Sequence, residues 1–194
     1  VLEQINSNSS EVKTSAYTAL KDVVTSNNLN ELFGLLEKAE PDAVPSVQQA
    51  ISVALNTYSK EKQLETISGR MEKVVKSKQY LYYSVLASTG EPKALDLIVD
   101  RFSTESGNGK DAAFQALLDW KGVEVADKLY AICKDASATT YFDRALNRYI
   151  QLGLNPQLKG EDRRLYLTNA MNITKNTSQK GAILKALGNT GTYA

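Results

Sequence analysis

The side chains of this chain that could do chemistry are carboxylates, amines, phenols and one thiol, because histidine is absent. Without histidine the commonest general base, the Ser-His and Cys-His nucleophile pairs and most zinc sites are gone. The single cysteine, Cys133, excludes an intramolecular disulfide and any multi-cysteine metal site. Carboxylates and lysines could still transfer protons, yet the sequence shows no convergent set of acids. The run Gly107-Asn108-Gly109-Lys110-Asp111 has the glycines and lysine of a phosphate loop. It lacks the GxxxxGK[ST] spacing, puts Asp where the metal-ligating hydroxyl belongs and follows no strand. It reads instead as a loop between repeats, running into a helix start.

Other residues invite binding rather than catalysis. Tyr80, Tyr82 and Tyr83 cannot all face inward together with Leu81 and Val85. At least one is therefore expected on the surface or in a groove between hairpins, as a binding anchor, against the alternative of a phenol snorkelling from the core. Trp120 is expected as a plug over a hairpin end rather than a sugar platform. Cys133 shares an apolar stripe with Leu129 and Ile132 and is expected to be buried and inert. Glu161-Asp162-Arg163-Arg164 reads as a charged first turn, with its acids at the positive end of the helix dipole. Asn8, Asn172 and Asn176 open N-x-[ST] triplets, which carry meaning only in a eukaryotic secretory host.

The elements that must position these residues are helices. In the stretch 109–134, Ala113, Ala116, Leu117 and Trp120 fall at i, i+3, i+4 and i+7, one face of a helix. Lys121-Gly122 interrupts, and Val125, Leu129 and Ile132 resume the pattern. Similar stripes run along the chain: Val12, Ala16, Ala19, Leu20 and Val23; Leu29, Leu32, Phe33 and Leu36; Val47, Ala50, Ile51, Ala54, Leu55 and Tyr58; Leu64, Ile67, Met71 and Val74. A short helix is expected over 77–89, stopped by Gly90, with Pro92 in the first turn of the next. Beyond the polar loop expected at 103–109 and the central stretch come Phe142, Ala145, Leu146, Tyr149 and Ile150. A break at 154–156 follows, then Leu167, Ala170 and Met171, and finally Ile183, Leu184 and Leu187. Ser9 or Ser10 is placed to cap the first helix. AYTAL, ISVAL, YYSVL, FQALL, FDRAL and ILKAL recur at a spacing suited to helical repeats. No alternating β pattern or hairpin turn interrupts them. The expected fold is all-α: one α-α superhelix of about five helical hairpins plus a terminal helix, spanning 1–194 as a single domain.

Composition agrees with a folded protein of ordinary character, 42% hydrophobic and 23% charged. A net charge of +1 supplies no global attraction to nucleic acid or anionic membrane. No apolar run approaches the ~20 residues of a membrane span. Val1 stands where an initiator Met would, and 1–10 has neither a basic n-region nor an apolar h-region, so the chain reads as a processed or excised segment of a longer protein.

The stripes and small residues resemble those of the HEAT/armadillo-like superfamily. More narrowly, AAFQALLDW, ADKLYAIC and DRALNRYIQL within 112–152 are similar to HEAT-type domains of large bacterial exported proteins, often joined to concanavalin-like sugar-processing domains or to dehydrogenase or cytochrome modules. The resemblance implies a non-catalytic scaffold or interaction domain, in a periplasmic or secreted carbohydrate-processing protein, without cofactor. It implies that Asp143, Arg144 and Arg148 belong to a structural Arg–Asp ladder. The partner it implies is a protein or another domain of the same polypeptide, with no nucleic acid and no membrane span. The expected binding surface follows the second helix of each pair, over 27–38, 62–73, 92–101, 124–135 and 162–175. Tyr82, Tyr83, Arg101, Lys128 and Arg163 are its candidate contacts. Two other readings are a nucleic-acid-binding HEAT-like protein resembling the helical-repeat DNA glycosylases, drawing on Lys62, Arg70, Lys73, Lys76 and Lys78, and a HEAT-repeat lyase.

Overall fold

The computed structural model describes residues 1–155 and 157–188, and within them the apolar stripes fold as eleven α-helices with no strand. These are α1 (Ser10–Val23), α2 (Leu29–Leu36), α3 (Val44–Leu55), α4 (Lys60–Met71), α5 (Tyr83–Thr89), α6 (Pro92–Thr104), α7 (Gly107–Asp119), α8 (Ala126–Lys134), α9 (Phe142–Gly153), α10 (Gly160–Ile173) and α11 (Thr177–Gly188). Several boundaries follow from local chemistry. The Ser9 hydroxyl caps α1 by accepting from Val12 N at 3.4 Å, and Ser59 does the same for α4 from Lys62 N at 3.3 Å. Gly90 ends α5 in the left-handed region at φ 60, which a side chain would strain. Pro92 then opens α6, where a missing N–H leaves nothing unpaired.

The chain forms two compact units, Val1–Lys121 and Gly122–Ala194. The division falls inside the stretch 109–134, so α7 belongs to unit 1 and α8 to unit 2. In unit 1 the odd helices form a row: α1 packs on α3, α3 on α5 and α5 on α7. The even helices lie alongside them, α2 on α3, α4 on α5, and α6 on both α5 and α7. Leu20, Leu32, Leu36, Ile51, Leu86, Phe114 and Leu117 are sealed in this core. In unit 2, α8 packs on α9, α9 on α10 and α10 on α11. Tyr149 there stacks on Tyr130 at 5.2 Å and meets Tyr166 at 5.4 Å, one aromatic pile shared by α8, α9 and α10.

Three local expectations need correction. The helix expected over 77–89 is a 3-10 segment, Lys76–Tyr82, followed by α5 from Tyr83. The polar loop expected at 103–109 is almost absent. α6 runs to Thr104, with the Ser103 and Thr104 hydroxyls bonding back to Val99 O and Asp100 O, and α7 begins at Gly107. Val12 and Val23, counted in the first stripe, are 40% and 53% exposed, because the α1 contact centres on Ala16 and Leu20. The expected break at 154–156 includes position 156, which lies outside the described residues.

Candidate functional site

Two of the five residues expected on a binding surface are not available to it. Tyr82 and Tyr83, expected as exposed anchors, are both fully buried. α5 has α3, α4, α6 and α7 packed around it, so a short helix buries nearly every face and two consecutive phenols both enter the core. Each finds an acid at the end of another helix. Tyr82 Oη donates to Glu37 Oε1 at 2.6 Å, and Arg70 reaches the same oxygen through Nη2 at 2.6 Å and Nε at 2.8 Å. Tyr83 Oη donates to Glu105 Oε1, and Arg101 Nη1 stands 4.0 Å from that oxygen. Burial first, and the neighbouring carboxylate second, push both phenols well above the usual tyrosine range. Such phenols are ties between helices, not acids for a substrate. Tyr80 is the partly exposed member of the three.

Arg101 is thus paired with Glu105, while Lys128 on α8 and Arg163 on α10 belong to unit 2, both half-buried. Trp120 is fully buried, which rules out a sugar platform. Lys110 Nζ sits 4.8 Å over the Phe102 ring, a cation–π contact rather than a phosphate clamp. Lys62 pairs with Glu65, Arg70 with Glu37, and Lys78 donates to Glu37 O, so three of the five cations grouped as a nucleic-acid patch are engaged. Among the described residues no group of three or more Cys, Asp or Glu could hold a metal, and no helix is long and apolar enough to cross a membrane.

One cleft with room for a ligand, ≈ 810 Å³, lies inside unit 2. Its walls are the end of α8, the 3-10 segment Ala136–Tyr141, the start of α9 and the α10–α11 turn. Cys133, Ala136, Phe142 and Ile173 give an apolar lining. Lys134, Lys175, Asp135 and Asp143 bring both signs of charge, and Thr139, Asn172, Asn176 and Gln179 add neutral donors and acceptors. Part of this polar set is already committed to the fold. Asn176 Oδ1 accepts from Ser178 N and Gln179 N, capping α11. Gln179 bridges to Thr174 Oγ1 at 2.7 Å and to Asn147 Oδ1 at 2.6 Å. Asp135 Oδ1 accepts from Ser137 N. Asp143, Asn172 and Lys175 stand exposed at the rim. Cys133 is 8% exposed and burial pushes its thiol up to about 12, so it is a protonated wall group and no nucleophile.

Sequence reasoning placed Asp143 in an Arg–Asp ladder, Cys133 and Phe142 on apolar stripes, Asn172 and Asn176 in glycosylation triplets, and Asn172 within the expected surface 162–175. It did not join them. The usable signal was the polar run 172–180, NITKNTSQK, lying between two apolar stripes. No family model, no curated protein and no solved structure matches this chain.

Proposed function

We propose that this chain is a non-catalytic helical-repeat interaction module that takes a segment of a protein, or of another domain of its own polypeptide, into the unit 2 cleft. The cleft itself carries the reading. Its volume suits an organic ligand or a few residues of chain. Its lining mixes apolar wall, neutral amides and both charges, which matches a peptide better than a lone anion or a sugar. Nothing in it pairs a nucleophile with a base, the arrangement an acyl or glycosyl transfer would require. The HEAT/armadillo-like repeat in this proposal, and its likeness to domains of exported carbohydrate-processing proteins, rest on the sequence resemblance, with which the all-helical fold is compatible. Peptide display against the chain tests the reading. Selected peptides should lose at least tenfold in affinity, about 1.4 kcal/mol, when Asn172→Arg fills the cleft mouth. Purified chain should show no turnover on sugars. Failure of repeated selections to enrich any peptide, or binding indifferent to Asn172→Arg, would refute it.

A further inference from the structure

The charge of this chain is close to balanced only as a total. Unit 1 holds 13 Lys and Arg against 16 Asp and Glu, and unit 2 holds 10 against 6. The imbalance sharpens along unit 2, because no acid follows Asp162, while Arg163, Arg164, Lys175, Lys180 and Lys185 do. Arg164, Lys175, Lys180 and Lys185 are exposed. Arg163 is half-buried, with its Nε enclosed and without a hydrogen bond.

These residues decorate a single hairpin. α10 and α11 pack together across a connection of only 174–176, which makes them antiparallel neighbours. α11 turns Ile183 and Ala186 inward and leaves Leu184 61% exposed, while α10 leaves Leu165 56% exposed. The two leucines lie at similar sequence distances from the turn, Leu165 next to Arg164 and Leu184 next to Lys185. We infer that the outward face of α10–α11 docks an acidic amphipathic segment of the protein partner, the leucines supplying apolar anchors and the cations steering and orienting the encounter. The inference rests on the protein-binding reading above and names the partner's chemistry.

Two other anionic surfaces fit less well. Insertion into a membrane needs a broad apolar helix face, and here the apolar stripe of α11 is spent on α10. Single-stranded nucleic acid is held by exposed aromatics between cations. Among the described residues this face has none, because Tyr166 is committed to the pile with Tyr149. The acids nearest in sequence, Glu161 and Asp162, sit in the first turn of α10, and Asp143 lies at the cleft rim.

The test uses the whole chain and labelled helical peptides with leucines at helical spacing and glutamate, glutamine or lysine elsewhere, with a DNA duplex and phosphatidylserine vesicles as further probes. The glutamate peptide should bind at least about tenfold tighter than the glutamine peptide at low salt, weakening as salt rises. Reversal of two exposed lysines, Lys180→Glu with Lys185→Glu, should erase that preference and leave the far-UV spectrum unchanged. The same reversal in unit 1, Lys38→Glu with Lys73→Glu, should leave the preference intact. Equal binding of the three peptides, a preference that survives the α11 reversal, or tighter binding of duplex or vesicles would each overturn the inference. Peptides selected on the cleft should still bind the α11 reversal variant, so the two readings fail separately.

Discussion

Raising the pH should unfold unit 2 through two named groups. Burial holds the Cys133 thiol at about 12, against 9.0 for a free thiol. It holds the Tyr149 phenol at about 12 against 10.0, with the hydrogen bond from Asn169 pulling the other way. Both folded values exceed the unfolded ones. The stability these groups contribute is therefore complete below about pH 9 and is lost as pH rises towards the folded values near 12. At about pH 11 the unfolded chain has released both protons and the folded chain has kept most of both. The loss is then about 3 kcal/mol from Cys133 and about 1 kcal/mol from Tyr149, at 1.36 kcal/mol per pH unit. Unit 2, at 0.05–0.15 kcal/mol per residue, holds on the order of 4–11 kcal/mol in all, so the loss removes between about a third and all of it. Far-UV ellipticity should fall over this range, and the single thiol should become reactive towards an aromatic disulfide in step with it. Cys133→Ala supplies the control. Its stability should decline less steeply than the parent's between about pH 9 and pH 11, by about 1.4 kcal/mol per unit. Parallel decline of parent and variant would refute the assignment, as would a thiol that reacts freely at neutral pH.

Two further outcomes concern unit 1. Leu117→Ala empties a fully buried site where α7 meets α5 and α6, and should cost about 2–5 kcal/mol. Followed by Trp120 fluorescence in urea, its transition should move to lower denaturant, separating from the transition of unit 2 read by Cys133 reactivity; a parent-like midpoint would remove Leu117 from the core. Tyr82→Phe deletes the donor to Glu37 but leaves Arg70 on the same carboxylate, so about 1–2 kcal/mol should be lost. In a double-mutant cycle with Glu37→Gln the two losses should be markedly less than additive, and full additivity would show that the bond contributes nothing.

Much of the helical content was legible because apolar residues at three and four positions need a partner surface wherever they lie. The stripes 29–36, 47–55 and 142–150 mark α2, α3 and α9 within a few residues. What failed to show was the number of neighbours each helix has. Tyr82 and Tyr83 look amphipathic by adjacency, and only packing around α5 makes both buried. Their acceptors, Glu37 and Glu105, are 45 and 22 residues away, and no local pattern announces them. The serines and glycines of 103–109 suggested a loop, since hydroxyls that bond back along a helix look the same in sequence as hydroxyls in a turn. The cleft was hidden for a related reason: it gathers side chains from α8, α9 and the α10–α11 turn, each modest alone.

Glu37 caps the C-terminus of α2 and Glu105 that of α6. A carboxylate there faces the negative end of a helix dipole, an unfavourable place by about 0.3–1 kcal/mol. Each is held by one of two adjacent tyrosines that leave the chain in different directions. The arrangement works as an index mark for α5. Sliding the helix by one residue would bring Tyr83 towards Glu37, put serine where Glu105 now meets Tyr83 and strand that carboxylate. Single-residue insertions and deletions between Lys76 and Thr89 should consequently be rejected, even where an equal change in an ordinary connection is absorbed.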